Sequence, residues 1–176
     1  RVRSQNEHPS VPEIKRVMFI FGTRPEAIKV APVIRHLQQT DHLQPVVVTT
    51  GQHRQMLDQV LEAFGIRSDH DLEILQHGQG LTGITTKALE RLAPVIEHQH
   101  PDVVVVQGDT TTTFAGALGA FYAQIPVVHM EAGLRTNDMY SPFPEEINRR
   151  LTSQLATLHL APTSTSCANL LREGVD

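Results

Sequence analysis

The stretch VMFIFGTRPEAIK, residues 17–29, joins an apolar strand directly to the start of a helix. Residues 17–21 predict a buried β-strand that ends at the following glycine. Pro25 fits the first turn of a helix, where a missing N–H does no harm. Two cations flank this helix start, where exposed backbone N–H groups and the helix dipole attract anions. The anion site predicted at this strand end consists of Gly22, Thr23, Arg24 and Lys29.

The rest of the chain repeats this alternation of strand and helix. Four consecutive valines at 103–106 are typical of a strand buried on both faces of a parallel sheet. The predicted strands are 17–21, 45–50, 72–75, 103–106, 126–130 and 158–160. The predicted helices are 25–39, 55–64, 82–98, 111–124, one that starts at 144, and 164–173. This order predicts an α/β fold with one doubly wound, Rossmann-like parallel sheet.

Composition argues against several classes of protein. The 176 residues include 15 basic and 19 acidic ones, for a formal charge of -4 without a basic cluster, so we expect no nucleic-acid partner. No apolar run approaches the roughly 18 residues that span a bilayer, so we expect no membrane association. The single cysteine, Cys167, excludes an internal disulfide and fits a reducing compartment. No pair among the ten histidines has metal-ligand spacing, so we expect no metal.

Polar residues follow three of the predicted strands. Arg24 comes after the first strand, Asp109 after the valine strand, and Glu131 after the strand at 126–130. Because the carboxyl ends of parallel strands lie on one edge of a sheet, these three side chains should converge on one cleft. Asp109 has an alternative role as the N-cap of the next helix. Glu131 has no comparable structural reason to follow a buried strand, which favours a functional role.

Two further segments allow more than one interpretation. Glu145 with Arg149, and Glu146 with Arg150, are spaced i,i+4 and by themselves predict ion pairs on the surface of a helix. The triplet QHR at 52–54 follows the second strand on the same sheet edge. It either contacts a ligand or caps the next helix.

Five ordered motifs resemble those of one enzyme family. They are GTRPEAIK (22–29), GQHRQMLDQV (51–60), GDTTTT (108–113), EAGLRT (131–136) and SPFPEE (141–146). From about Lys15 to its last residue, the chain resembles the bacterial non-hydrolysing UDP-N-acetylglucosamine 2-epimerases. The resemblance implies a cytoplasmic homodimer that interconverts UDP-N-acetylglucosamine and UDP-N-acetylmannosamine for cell-surface polysaccharide synthesis. It implies no metal or redox cofactor.

The resemblance also implies a domain organisation. Members are similar in fold to the GT-B glycosyltransferases, in which two Rossmann-like domains face each other across a cleft. Residues 15–176 would form the N-terminal domain, and a C-terminal UDP-binding domain is absent from this sequence. Residues 1–14, which are polar and include Pro9 and Pro12, are expected to be a disordered leader, either native or left over from cloning. Without its partner domain the chain is expected to show little or no turnover.

The family mechanism assigns roles to individual residues. UDP leaves C1 and a proton leaves C2, giving a bound 2-acetamidoglucal, and UDP then adds back while the proton returns to the opposite face. By resemblance, Asp109, Glu131 and Glu145 supply carboxyl groups for the two faces of the sugar ring. Arg24 and Lys29 stabilise the departing diphosphate. The substrate-binding positions carried over from the family are Gly22, Thr23, Arg24, Lys29, His53, Arg135 and Arg149. The activating second substrate site is carried over to Gln52, Gln55 and Gln79, with Gly78 where some members have arginine.

Two other functions share parts of this pattern. The N-terminal half of a GT-B glycosyltransferase would have the same fold but an acceptor site instead of opposed carboxylates. A non-catalytic sugar-nucleotide binding module would avoid clustered acids beside a dianionic ligand. The three carboxylates therefore favour the epimerase.

Overall fold

One sheet of six parallel strands organises the chain, whose computed structural model describes residues 13–51, 54–74 and 78–175. The strands are β1 Lys15–Phe21, β2 Leu43–Thr49, β3 His70–Asp71, β4 Val103–Gln107, β5 Val127–Met130 and β6 Leu158–Leu160. The helices are α1 Arg24–Leu37, α2 Arg54–Ala63, α3 Leu81–Gln99, α4 Thr111–Tyr122, α5 Glu145–Leu155 and α6 Ser164–Arg172. The strand order is β3-β2-β1-β4-β5-β6, which confirms the predicted doubly wound Rossmann-like sheet.

The strand order reverses between β1 and β4. Phe19 of β1 is in register with Val47 of β2 on one side and with Val105 of β4 on the other. The strands β2 and β3 therefore lie on one side of β1, and the strands from β4 onward lie on the other side. The boundary between β1 and β4 is the topological switch point, where open α/β sheets bind ligands. The segment that follows β1 and the segment that follows β4 both lie at this point.

The core has two layers, one on each face of the sheet. Helices cover both faces of β1. Met18 and Ile20 of β1 pack with residues of α3 and α4, whereas Phe19 and Phe21 pack with residues of α1 and α2. All four are at most 2% exposed. Full burial of such a side chain stabilises the fold by roughly 1.5–3 kcal/mol, which explains the continuous apolar run at 17–21.

The predicted third strand is wrong in position. The structure pairs His70 and Asp71 with β2, two residues before the range predicted at 72–75. Glu73 has a left-handed backbone, with φ of 46°, so the extended chain stops there. Leu72 and Ile74 are buried in the core, and this burial accounts for the apolar pattern that suggested a strand. Leu75 lies outside the described residues.

No helix in the described parts of the chain has the length and apolar character that a membrane span requires.

Candidate active site

Two backbone N–H groups just before α1 are bound by an internal carboxylate. Thr23 is the N-cap, and Glu26 completes a capping box with it. The Glu26 carboxylate accepts the N–H of Gly22 at 2.9 Å and the N–H of Thr23 at 2.8 Å. Glu26 itself is only 3% exposed. These two N–H groups are therefore not free for an anion, whereas the anion site expected from the helix start, Arg24 and Lys29 stays a prediction.

The same carboxylate reaches the start of α4. Thr110 donates its hydroxyl to Glu26 Oε1 at 2.8 Å, and Thr113 Oγ1 lies 3.3 Å from that oxygen. Thr110 is also the N-cap of α4, where its side chain accepts the N–H of Thr113. The alternative role of Asp109 as the cap is thus excluded, and its side chain is available for other contacts.

Lys29 and Glu131 form an ion pair between α1 and the end of β5. Gln107, the last residue of β4, donates its side-chain amide to the same oxygen, Glu131 Oε2, at 2.7 Å. Glu131 has a φ of 62°, a left-handed conformation that costs a non-glycine residue on the order of 1–3 kcal/mol. Such strain is concentrated at functional sites, and the functional role of Glu131 stays a prediction.

The turn that carries Glu131 is fixed against α6 by a glycine. Gly133 has a φ of 92°, and a Cβ atom there would lie 2.2 Å from the carbonyl oxygen of Ser166. Only glycine avoids both the strained backbone and this collision. The close approach explains the glycine in the EAGLRT motif and sets the position of Glu131.

Asp109 binds the buried guanidinium of Arg149, with Oδ2 3.0 Å from Nη2. Burial raises the pKa of Asp109 above its ordinary value, while the Arg149 charge opposes the rise. Neighbouring negative charges on Glu145, Glu131 and Glu26 raise this pKa further. Asp109 is thus electrostatically coupled to the other carboxylates at this edge of the sheet.

The adjacent residues Glu145 and Glu146 have different environments. Glu146 is fully buried and accepts the N–H groups of Thr136 and Asn137 at 3.1 and 3.2 Å and Arg150 Nε at 2.9 Å. Burial alone would raise the pKa of Glu146, but these donors hold it below its ordinary value. The predicted pair with Arg150 is confirmed, although it is buried on the carboxylate side rather than lying on the surface.

Glu145 does not form the predicted side-chain pair with Arg149. Arg149 Nε lies 3.3 Å from the Glu145 backbone carbonyl, to which it donates. Within the part of the chain that the structure describes, Glu145 Oε2 and Arg149 Nη1 are buried and have no hydrogen-bond partner. A cavity of about 190 Å³ borders Glu145, and its lining includes Thr23, Thr110, Pro144 and Asn148. Glu145 Oε2 is therefore an unmatched acceptor beside a cavity, a setting suited to a polar ligand.

His129 is a residue that the sequence analysis missed. It is fully buried in β5 and its Nε2 lies 2.7 Å from the carbonyl oxygen of Gly108, to which it donates. Burial lowers its pKa to about 4, so the ring is neutral at ordinary pH. The bond supports the turn that carries Asp109. The sequence does contain a signal, because His129 interrupts an otherwise apolar strand. The spacing expected of metal ligands does not detect a single buried histidine.

The structure does not bring every predicted residue into this group. Arg24, the first residue of α1, lies at the same edge of the sheet but is exposed. Arg135 is buried, and its guanidinium binds Glu173 at 2.7 Å and Ser153 at 3.0 Å, so it ties α6 to α5. Gln55 is exposed on α2 and Gln79 is half-buried just before α3. Gln52 and His53 lie outside the described residues, so the two interpretations of their segment stay open. The described residues contain no group of three His, Cys, Asp or Glu side chains that could hold a metal.

Sequence comparison relates the chain to one family. A family model described as UDP-N-acetylglucosamine 2-epimerase matches residues 35–176. The chain is 61% identical over 160 residues to a relative from Thermotoga maritima, covering 91% of the chain and 42% of that relative. It is 58% identical over 160 residues to the UDP-N-acetylglucosamine 2-epimerase of Escherichia coli K12, covering 91% of the chain and 43% of that protein. The chain therefore spans less than half the length of these curated relatives.

Solved structures give the same relationship. The UDP-GlcNAc 2-epimerase of Neisseria meningitidis, bound to UDP-GlcNAc, is 55% identical with a TM-score of 0.88, over 92% of this chain and 44% of that one. A Methanocaldococcus jannaschii UDP-GlcNAc 2-epimerase in complex with UDP-GlcNAc and UDP is 40% identical with a TM-score of 0.85, over 92% and 44%. MurG from Acinetobacter baumannii, a GT-B protein, is 18% identical with a TM-score of 0.59, over 82% and 40%, and shares the fold alone.

Proposed function

The chain belongs to the UDP-N-acetylglucosamine 2-epimerase family, and from this premise we propose that it is the N-terminal domain of a two-domain epimerase. The reaction is the reversible interconversion of UDP-N-acetylglucosamine and UDP-N-acetylmannosamine. The observation that carries the proposal is the group of carboxylates at the switch-point edge. Asp109, Glu131 and Glu145 lie there together with the cations of Lys29 and Arg149.

Clustered carboxylates suit a reaction that moves a proton on both faces of a sugar ring. In the elimination step the C2–H bond gives up its proton to a carboxylate, and the C1–O bond to UDP breaks with its electron pair going to the diphosphate. The products are UDP and 2-acetamidoglucal. Re-addition reverses these steps with the proton delivered to the opposite face. The raised pKa of Asp109 suits a carboxyl group that holds a proton during part of this cycle.

The cations suit the departing diphosphate. Lys29 is about half exposed although it pairs with Glu131, so an anionic ligand can compete for it. Arg24, exposed one turn earlier on α1, adds a second cation on the same edge of the sheet. Positive charge that is already positioned where negative charge develops lowers the barrier to C–O cleavage. We assign Arg24 and Lys29 to leaving-group stabilisation and Arg149 to the orientation of Asp109.

The remaining nucleotide contacts would come from a second domain. The solved relatives, of which this chain matches about 44%, include proteins bound to UDP-GlcNAc and to UDP. We propose that the complete protein is a cytoplasmic homodimer that needs no metal or redox cofactor, with UDP-N-acetylglucosamine and UDP as its ligands. A second, activating substrate site would include Gln52, Gln55 and Gln79.

Deuterium incorporation tests the proposed reaction. A protein that carries this domain and has the full length of the relatives would be incubated with UDP-N-acetylglucosamine in deuterated water. We expect UDP-N-acetylmannosamine, with deuterium at C2 of both sugars in the recovered mixture by NMR. A folded protein that yields no deuterium at C2 would exclude the epimerase. Release of UDP only when a sugar acceptor is added would instead indicate a glycosyltransferase.

The isolated chain provides a matched control. Because it lacks the rest of the relatives' length, its turnover under the same conditions is expected to be negligible. Epimerisation by the 176-residue chain at the full-length rate would show that the second domain is not needed.

A further inference from the structure

Glu26 connects two parts of the candidate active site that are far apart in sequence. Its Oε2 accepts the N–H groups of Gly22 and Thr23 at the start of α1, and its Oε1 accepts the hydroxyl of Thr110 at the start of α4. The bond to Thr110 joins residues 84 positions apart. Glu26 is 3% exposed, so these contacts are shielded from water. We propose that Glu26 is a positioning residue that holds the helix carrying Lys29 against the turn carrying Asp109, an assignment that rests on the proposed function.

An ordinary capping box explains only half of these contacts. A glutamate at the third position of a helix commonly reaches back to the N-cap N–H, as Glu26 does with Thr23. Such a cap stabilises a single helix and needs only one side-chain oxygen. The second oxygen of Glu26 binds the hydroxyl of Thr110, which is itself the N-cap of α4. One carboxylate therefore sets the starts of both helices at the switch point.

Each end of this connection carries a residue of the proposed mechanism. Lys29 lies one turn after Glu26 on α1 and pairs with Glu131 at the end of β5. Asp109 directly precedes Thr110 and pairs with Arg149 of α5. A shift of α1 relative to α4 would therefore change the distance between the cation and the carboxylates. Misplacement of catalytic groups by about 1 Å can lower a rate roughly 100-fold, so this distance matters for turnover.

The charge of Glu26 acts separately from its hydrogen bonds. Three donors bind the Glu26 carboxylate, and such hydrogen bonds offset its loss of solvation. That charge is among those that raise the pKa of Asp109. Replacement by glutamine keeps the contacts, because the amide oxygen can accept both N–H groups and the amide nitrogen can donate to Thr110. Replacement by alanine removes both the contacts and the charge.

Titration of Asp109 in the 176-residue chain tests the coupling without any assay of activity. Glu26→Gln, Glu26→Ala and the control Glu97→Gln would be compared, with the Asp109 side-chain carboxyl followed by ¹³C NMR. Glu97 lies near the C-terminal end of α3, beside the amino ends of the strands. Its variant therefore makes the same charge change far from the site. We expect the Asp109 midpoint to move to lower pH in Glu26→Gln and to stay in place in Glu97→Gln. Glu26→Ala also removes the contacts, so its midpoint should differ from that of Glu26→Gln, and equal midpoints in these two variants would overturn the proposal.

Kinetics of the full-length protein test the positioning. We expect Glu26→Ala to lower kcat roughly 10–100-fold with a much smaller change in KM, while Glu26→Gln keeps most of kcat and shifts the acidic limb of the pH–rate profile downward. Equal kcat values for Glu26→Ala and Glu97→Gln would overturn the proposal. If Glu26→Ala does not fold, Glu26→Asp replaces it, because the shorter side chain keeps the charge but cannot bind both helix starts at once. Absence of epimerisation by the wild-type protein would refute the proposed function instead, and the titration would still report the coupling.

Discussion

Two sets of carboxylates lie at the same edge of this sheet, and they differ in how completely the protein binds them. Glu26 and Glu146 are at most 3% exposed, and backbone N–H groups and side-chain donors bind both oxygens of each. Asp109 and Glu131 have side chains that are 29% and 32% exposed, and each has one ion pair. Glu145 has a buried oxygen without a partner among the described residues.

The difference separates acids that are bonded into the framework from acids that stay open to a ligand. A fully bonded buried carboxylate has a fixed geometry and no free lone pair for a ligand, so it is suited to support. Asp109 is partly open, and its pKa is raised by burial first and by neighbouring negative charges in addition. Sequence neighbours fall on opposite sides of this division, since Glu145 and Glu146 are adjacent on α5.

The largest expected effect is on activity at the open set. Asp109→Asn in the full-length protein should lower kcat roughly 10²–10⁴-fold, because an amide cannot take up and return the proton. The free energy of unfolding should change by less than about 1 kcal/mol, since Arg149 keeps its contact with Glu146. Steady-state kinetics and urea unfolding measure both quantities. Asp41→Asn, at an exposed site before β2, is the control. Equal kcat values for Asp109→Asn and this control would show that the open carboxylate has no role in turnover.

The next effect is on stability at the bonded set. Glu146→Ala should lower the free energy of unfolding of this chain by roughly 3–5 kcal/mol, because it leaves Arg150 and the N–H groups of Thr136 and Asn137 without an acceptor. Glu145→Ala, one residue away, should change it by less than about 1 kcal/mol. Urea unfolding of the two variants side by side decides this, and similar losses in both would show that the two acids are equivalent.

The smallest expected effect comes from the histidine that supports Asp109. The pKa of His129 is about 4 in the folded chain, against 6.5 as its ordinary value. Above pH 6.5 the ring is neutral in both states and contributes nothing to the pH dependence. As the pH falls from 6.5 to 4, the unfolded chain binds a proton that the folded chain excludes, so stability falls by roughly 3 kcal/mol in total.

Urea unfolding between pH 7.5 and 4 measures this effect. His129→Gln retains a donor to the Gly108 carbonyl but does not titrate, so its stability should fall less steeply over the same range. Equal slopes for the variant and the parent chain would contradict the prediction. Glu146 and Glu173 have lowered pKa values and add their own losses mainly below pH 4.5, whereas the raised pKa of Asp109 acts in the opposite direction.

Most of the fold could be predicted because its signals are local. Buried strands such as 103–106 need continuous apolar residues, and glycine or proline marks where each one stops. The third strand was misplaced because burial, and not sheet pairing, selects Leu72 and Ile74. An apolar periodicity indicates only that side chains are buried, and a strand, a helix or a loop can each bury them.

The residues of the candidate site could be predicted from the sequence better than the contacts between them. Topology places the residues after β1, β4 and β5 on one edge, so Asp109 and Glu131 could be grouped from the sequence. The sequence could not show that Glu26 binds the N–H groups expected to receive an anion. Neither could it show that Arg135 pairs with Glu173, because that contact joins residues 38 positions apart.

The amino-acid sequence by itself determined the parallel α/β sheet, the family motifs and the set of candidate acids. Those features follow from local chain preferences and from the order of strands. Only the tertiary structure decided which acids are bonded into the framework and which stay open to a ligand. Burial and hydrogen-bond partners set the state of a carboxylate, and at Glu26 and Asp109 those partners come from segments that meet only when the sheet is assembled.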